Sequence, residues 1–144
     1  RVAANTDADR FGRRAAESAP YLPIHKTFGL EPAHPALLEL FERLAADPTL
    51  TGWPGLGFVV QAYQKRAPFV VEHLVALARG QGRRIMLRLV KGAYWDSEIK
   101  LAQSAGHADY PVYTRKAHTD LAYLACAQRL LEAPDAIYPQ FATH

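Results

Sequence analysis

The sequence predicts an α/β fold built from parallel βα units, and three observations carry that prediction. Short apolar segments rich in β-branched and aromatic residues alternate along the chain with segments whose apolar residues recur at helical spacing. The strand segments are apolar almost throughout, which is typical of parallel strands buried on both faces. Neither a GxGxxG loop nor a P-loop motif follows any of them. This alternation favours a parallel sheet with right-handed crossovers.

The first elements in chain order are an irregular segment and a helix. Residues 1–34 mix scattered charges with three prolines and show no sustained helical or strand period, so we expect irregular structure there. From Leu37, apolar residues recur at i, i+1, i+4, i+7 and i+8, which places one apolar stripe on a helix beginning at Pro35. That helix should end before Asp47, because a residue that precedes proline disfavours helical geometry.

Two strands and the helix between them are predicted next. Residues 56–63 and 85–90 have the composition of buried strands. A helix is expected from about Ala67 to Arg79, because Pro68 suits a first helical turn. A following glycine, Gly80 or Gly82, can close this helix in the left-handed conformation.

The C-terminal part of the chain predicts two further helices and a third strand. A short helix is expected over residues 96–103, and Thr119 with Asp120 has the residue types of a helix start. The residues expected to pack this last helix down are Leu121, Leu124, Ala125, Leu130 and Leu131. Residues 136–142 read as a strand, although Pro139 counts against a fully regular central strand.

Periodicity alone does not choose between an open doubly wound sheet and a closed (β/α)8 barrel of the TIM type. The absence of the common nucleotide-binding loops favours the barrel. Such a barrel usually takes ~250 residues. We therefore expect residues 35–144 to form part of one, with about three consecutive βα units, and residues 1–34 to lie outside it.

Composition limits the functional classes. A chain with 49% hydrophobic and 22% charged residues has the balance of one ordinary soluble globular unit. No apolar run reaches the ~20 residues of a membrane span, and no signal-peptide pattern opens the chain, so we expect a cytoplasmic location. The one cysteine, Cys126, has no internal disulfide partner, and no His/Cys cluster has zinc-ligand spacing. We therefore expect no metal.

The net charge of +3 raises the question of a nucleic-acid partner. Residues 1–72 hold eight Lys or Arg and eight Asp or Glu, whereas residues 73–144 hold nine and six, so the whole excess lies in the second half. A nucleic-acid surface needs a denser basic stripe than this. Arg83 and Arg84 are equally well explained as solvated side chains before a strand, and no nucleic-acid partner is expected.

Polar side chains lie in or directly after each of the three predicted strands. They are Gln61, then Arg88 and Lys91, then Thr143 and His144. In a parallel sheet or barrel the C-terminal ends of the strands face one mouth, where ligands bind. Burying unpaired polar groups there costs several kcal/mol, so a bound polar partner explains the pattern. Singly, each residue is also explained by a neighbouring acid or by a frayed terminus.

The chemistry of these residues suits an anionic cofactor. Gln61 offers donors and an acceptor that match the imide edge of a flavin. Arg88 and Lys91 offer positive charge for an electron-rich ring or a diphosphate. Gly92 and Ala93 allow a cofactor to approach the backbone closely. These residues by themselves indicate a polar, anionic cofactor at the mouth and do not identify it.

Four segments in the right order resemble the proline dehydrogenase domain of the bacterial bifunctional proline utilization (PutA) family. The segments are residues 55–66, 88–100, 110–116 and 138–144. The resemblance covers roughly residues 36–144. It implies a distorted (β/α)8 barrel that binds FAD, oxidises L-proline to pyrroline-5-carboxylate and passes electrons to quinone, with peripheral membrane association of the parent enzyme.

The resemblance also implies roles for individual residues. Arg88 would lie beside the hydride-accepting nitrogen of the flavin as the catalytic residue, and Tyr94 would bind the substrate. The residues implied to bind the cofactor are Gln61, Arg88, Lys91, Gly92, Ala93, Trp95, Thr114, Lys116, Thr143 and His144.

The chain also departs from the family pattern. Residues 1–34 do not resemble the family's earlier strands, and the helix whose paired arginines bind the proline carboxylate is not found here. We therefore expect the isolated chain to be inactive. Two alternatives stay open: a non-catalytic remnant of the same enzyme, and an unrelated barrel or interaction module.

Overall fold

Three parallel strands form the centre of the molecule, which a computed structural model describes from residue 35 to residue 143. The strands lie in the order β1-β2-β3. Their bounds are Gly57–Gln61 for β1, Ile85–Val90 for β2 and Ile137–Phe141 for β3. Each predicted strand is confirmed, and the first and third are slightly shorter than expected. Residues 1–34 and 144 lie outside the described part of the chain, and so does the predicted irregularity of the first segment.

Within residues 35–143, four α-helices and one short 3₁₀ turn accompany the strands. Their bounds are Pro35–Ala46 for α1, Pro48–Leu50 for the 3₁₀ turn, Ala67–Gly80 for α2, Trp95–Ser104 for α3 and Lys116–Leu131 for α4. The first helix ends before Asp47, as predicted from the proline that follows. Gly82, with φ of 60°, lies just beyond α2 in the expected left-handed conformation.

The predicted start of α4 is wrong. The helix begins at Lys116, three residues before Thr119, and Thr119 is buried within the helix. The residue that precedes the helix, Arg115, has an extended backbone and makes no side-chain capping bond. An ion pair from Lys116 to Asp120, four residues apart, supports the first turn. A side-chain pair therefore takes the place of the predicted hydroxyl cap.

The predicted packing face of α4 is wrong for all but one of its residues. Leu121, Leu124 and Leu131 are exposed, and Ala125 is exposed with them. The buried residues are Thr119, Ala122, Tyr123, Cys126 and Leu130. This helix carries apolar residues on more than one face. Apart from Leu130, the inner face is lined by small or polar-tipped side chains. The prediction from apolar spacing therefore selected leucines that point outward.

Helices α2 and α4 cover one face of the sheet and enclose the core. Leu74 of α2 and Leu130 of α4 are fully buried, together with the strand residues Leu87, Leu89 and Ile137. Along β2 these buried residues alternate with half-buried ones. The expectation that the strands are buried on both faces is therefore wrong for β1 and β2 in the described part of the chain, because the helices that contact the sheet lie on one side of it.

Pro139 lies within β3 in register with Leu87 of β2. The backbone bonds between these strands run through Ala136, whose carbonyl accepts from Ile85, and Ala142, whose N–H donates to Leu89. Alternate residues of a parallel strand bond to opposite neighbours. The missing N–H of Pro139 therefore lies on the outer side of β3, and the pairing with β2 loses no donor.

Arg83 joins the start of β2 to the end of α1. Its guanidinium donates to the carbonyl oxygens of Ala45 at 3.0 Å, Leu50 at 3.2 Å and Trp53 at 2.9 Å. Arg84 lies 3.3 Å over the Tyr138 ring and donates to a backbone carbonyl of β3. The interpretation of these two arginines as solvated side chains is therefore wrong, since both bind the protein itself.

No helix in residues 35–143 combines the length and the apolar character that crossing a bilayer requires.

We expect Arg83→Ala to lower the free energy of unfolding by on the order of 2 kcal/mol, because three carbonyls lose a charged donor. Arg43→Ala is the matched control, since Arg43 is an exposed arginine in the last turn of α1. Urea unfolding followed by circular dichroism measures both. Equal shifts for the two variants would contradict a bridging role for Arg83.

Candidate functional site

The C-terminal ends of the three strands meet at one edge of the sheet, and polar side chains gather there. Gln61 is the last residue of β1, Lys91 follows β2, and Thr143 lies two residues beyond β3. Backbone bonds tie these ends together: the Tyr63 N–H donates to the Lys91 carbonyl at 2.9 Å. The three strand ends therefore lie at one edge of the sheet, as their parallel pairing requires, and such edges are where α/β proteins bind ligands.

Arg88 lies on the face of the sheet opposite α2 and α4. Its register partners are Val59 on β1 and Gln140 on β3. All three residues are half-buried. The sequence reading missed Gln140, although its position two residues before the end of a predicted strand places it beside Arg88. This face of the sheet thus carries a polar pair two residues below the mouth.

Gln61 is buried and holds the chain beyond β2. Its Oε1 accepts a hydrogen bond from the Ala93 N–H at 3.2 Å. The structure therefore brings together two of the predicted cofactor-binding residues. The amide oxygen of Gln61 is therefore used in a hydrogen bond within the protein. A contact of Gln61 with a flavin stays a prediction.

Lys91 and Lys116 meet at a shared carboxylate that the sequence reading had not assigned to the site. Asp120 Oδ1 lies 2.7 Å from Lys91 Nζ, and its Oδ2 lies 2.5 Å from Lys116 Nζ. Hydrogen bonds from Lys116 and then from Lys91 lower the pKa of Asp120 below its usual value. The spacing of four residues between Lys116 and Asp120 is the sequence signal that could have found this cluster.

Gly92 is in contact with Tyr63. Its φ is 132°, and a Cβ placed on it would lie 1.8 Å from Cδ1 of the buried Tyr63 ring. A side chain at this position would collide with the ring and would also force a backbone conformation that other residues rarely adopt. Gly92 therefore has a role in packing. Its predicted role, to let a cofactor approach the backbone, is separate and stays a prediction. Gly92 and Ala93 themselves are exposed.

The remaining predicted residues lie on two segments that border the loop after β2. One segment leads into α3, and the other directly precedes α4. Trp95, the first residue of α3, is partly exposed, and its indole N–H donates to the Tyr113 carbonyl at 2.8 Å. Thr114 follows Tyr113 and is exposed, and Tyr94 is half-buried directly before α3. These residues therefore lie along one continuous border. His144 lies outside the described residues.

The donor set of this edge fits an anionic cofactor. Arg88, Lys91 and Lys116 supply three positive charges, and Asp120 offsets one of them. The exposed backbone at Gly92 and Ala93 leaves room for close approach by a planar or phosphorylated group. Within residues 35–143 no group of three or more His, Cys, Asp or Glu side chains is placed to hold a metal ion.

Comparison with known proteins gives a consistent result. Residues 16–144 match the family model described as proline dehydrogenase. The bifunctional protein PutA of Klebsiella aerogenes is 64% identical over 107 residues, and that of Escherichia coli K12 is 63% identical over 107 residues. In both cases the match covers 74% of this chain and 8% of the relative. The chain therefore spans about a twelfth of the length of these curated relatives.

Solved structures agree with the sequence matches. A crystal structure of a variant of Bradyrhizobium japonicum proline utilization A has 57% identity and a TM-score of 0.72, over 74% of this chain and 11% of that one. Proline utilization A from Bdellovibrio bacteriovorus, inactivated by N-propargylglycine, has 41% identity and a TM-score of 0.71 over the same shares.

We expect Gly92→Ala to destabilise the protein by roughly 3 kcal/mol, because it adds a clash with Tyr63 to backbone strain. Gly106→Ala separates the two effects: Gly106 has φ of 66° with nothing within 4 Å of an added Cβ. That control should lose only about 1 kcal/mol. Urea unfolding measures both, and a similar loss in the two variants would show that the ring contact is unimportant.

We expect the stabilising effect of Asp120 to depend on pH. Its folded pKa lies below the usual 3.8, so its contribution is present above that value and is lost as the pH falls through the folded pKa. Asp120→Asn should therefore lower stability at pH 6 and make progressively less difference below about pH 4. Urea unfolding of both proteins across this range checks it. A difference that stays constant down to pH 2 would contradict the lysine pairing.

Proposed function

Since the chain belongs to the proline dehydrogenase family, we propose that the protein that carries it oxidises L-proline to pyrroline-5-carboxylate in proline catabolism, with FAD as cofactor. Electrons then pass to a quinone. The observation that supports this most directly is the placement of Gln61, Arg88 and Lys91 at or near the C-terminal ends of two adjacent parallel strands.

The described strands also suit the architecture that this function requires. Each strand pairs with the next one in sequence, in parallel, as consecutive strands of a (β/α)8 barrel do. We propose that residues 35–144 are a barrel segment of about three βα units. The polar face with Arg88 and Gln140 would then be the barrel interior, and α2 and α4 would belong to the outer layer.

FAD, when bound, supplies the hydride acceptor. Arg88 would place its positive charge beside the hydride-accepting nitrogen and so favour the reduced anionic cofactor. Gln61 would hydrogen-bond the isoalloxazine ring. Lys91, with Gly92 and Ala93, would line the cofactor along the edge described above.

The bordering segments would hold the rest of the ligands. Tyr94 would pack against the proline ring, and Trp95 would lie beside the flavin. Thr114 and Lys116 would contact the adenosine portion, and the ribityl-diphosphate would lie along Thr143 and His144. Orientation of the proline C–N bond and exclusion of water would contribute more to the rate than a dedicated base.

The chain alone would not complete this reaction. It aligns with 8% of the curated relatives, and the paired arginines that the family resemblance implies for the proline carboxylate would lie in other parts of the barrel. We propose that the 144 residues supply much of the flavin site and that proline binding depends on other parts of the barrel. We further propose that the parent protein is cytoplasmic and associates peripherally with the membrane when it delivers electrons to quinone.

The test uses a chimera in which the 107 aligned residues of this chain replace their equivalents in E. coli PutA. We expect the purified chimera to show a flavin absorbance band that proline bleaches under anaerobic conditions, and to pass electrons from proline to an added quinone. The unmodified E. coli protein is the reference. A colourless chimera, or a coloured one that proline does not bleach, would overturn the proposal.

We expect Arg88→Met in this chimera to lower kcat for proline about a hundredfold, because one positioned charge on the reacting centre is lost. Arg88→Lys should recover part of that loss, since it restores the charge without the guanidinium geometry. Arg79→Met is the control, because Arg79 pairs with Asp135 away from the mouth. Steady-state kinetics with proline measures all three, and an unchanged kcat in Arg88→Met would contradict the assigned role.

A further inference from the structure

A buried polar cluster lies behind the loop that follows β2. It consists of Tyr63, Gln64 and Glu98, each at most 6% exposed. One carboxylate oxygen of Glu98 accepts from the Tyr63 hydroxyl at 3.3 Å and from Gln64 Nε2 at 3.2 Å. None of the three residues belongs to the predicted cofactor set, and the proposed reaction does not use them.

The cluster connects directly to the loop. The Tyr63 N–H donates to the Lys91 carbonyl, and the Tyr63 ring packs on the backbone of Gly92. Glu98 lies in the first turn of α3, and its N–H donates to the Tyr94 carbonyl. The stretch from Lys91 to Tyr94 is thus held at one end by the backbone and ring of Tyr63 and at the other by the backbone of Glu98.

The neighbouring segment is fixed to the same cluster. Gln64 forms an isolated antiparallel bridge with Val112, and the Tyr113 N–H donates to the Tyr63 carbonyl at 2.8 Å. Tyr113 in turn accepts from the Trp95 indole. Both bordering segments of the candidate site therefore rest on the turn that contains Tyr63 and Gln64.

Burying these polar side chains costs free energy, and a role in stability alone would not require that cost. A buried carboxylate needs hydrogen-bond donors, and an apolar side chain of similar size would avoid that requirement. The orientation of Gln64 that serves Glu98 also leaves its Oε1 buried with no partner among residues 35–143. Because the donors converge on one oxygen, they fix the direction of the Tyr63 ring, which in turn fixes Gly92.

We propose that Glu98 is a positioning residue that acts through Tyr63 and Gln64 to hold residues 91–94 in the conformation that receives the flavin. This inference rests on the proposed function for the identity of the ligand. The positioning of the loop itself can be measured without any ligand.

The experiment compares four variants of the chimera described above. Glu98→Ala removes the acceptor, Glu98→Gln keeps an oxygen that can accept, and Tyr63→Phe removes one donor while keeping the ring on Gly92. Asp96→Asn is the matched control, since it is an exposed acid in the same first turn of α3. The two readouts are hydrogen exchange at the Tyr63 and Ala93 amides in cofactor-free protein, and the Kd for added FAD.

We expect Glu98→Ala to speed exchange at both amides and to weaken FAD binding about tenfold, since a misplaced loop loses its preorganisation. Tyr63→Phe should show a smaller change in the same direction. Glu98→Gln should stay within about threefold of the parent, and Asp96→Asn should match the parent in both readouts.

The outcomes separate the two proposals. Failure of the parent chimera to bind FAD would overturn the proposed function, while the exchange data would still test the positioning of the loop. Unchanged exchange at Ala93 in Glu98→Ala, or an equal effect of Asp96→Asn, would overturn the role of Glu98. If Glu98→Ala does not fold, the comparison of Tyr63→Phe with Asp96→Asn decides by the same two criteria.

Discussion

The contact between the Tyr63 ring and the backbone of Gly92 determines how the chain leaves the central strand. Because no side chain fits between them, the loop after β2 must lie directly on the turn after β1. The bond from Ala93 to Gln61 follows from that placement, and so does the approach of Lys91 to Asp120 at the start of α4. The relative positions of two strand ends and of the start of α4 therefore depend on one close approach between two consecutive βα units.

Much of the architecture could be predicted from the sequence because its signals are local. The short apolar runs at residues 56–63 and 85–90, with their β-branched and aromatic residues, favour strands, and proline and glycine mark where α1 and α2 end. The common edge of the strand ends followed from parallel topology alone. The orientation of α4 did not follow, because its apolar residues occupy two faces and the packing against α2 chose the one with Ala122 and Cys126.

For a similar reason, only some residues of the candidate site could be predicted from the sequence. Residues that project from strand ends, such as Gln61 and Arg88, stand out as polar interruptions of an apolar pattern. Asp120, Glu98 and Gln140 do not stand out, since an acid near the start of a helix or a polar residue near a strand end is ordinary. Only the fold shows that Glu98 lies within hydrogen-bonding distance of side chains 34 and 35 residues earlier in the chain. Supporting residues are therefore harder to predict than the residues they support.

The outward-facing nitrogen of Pro139 has a consequence for association between chains. A strand edge with a complete row of donors and acceptors invites pairing with any other extended segment, and such pairing starts aggregation. The outer side of β3 lacks one donor at its centre, so a foreign strand that pairs there forms fewer backbone hydrogen bonds. One imino acid thereby disfavours such pairing without weakening the sheet on its inner side.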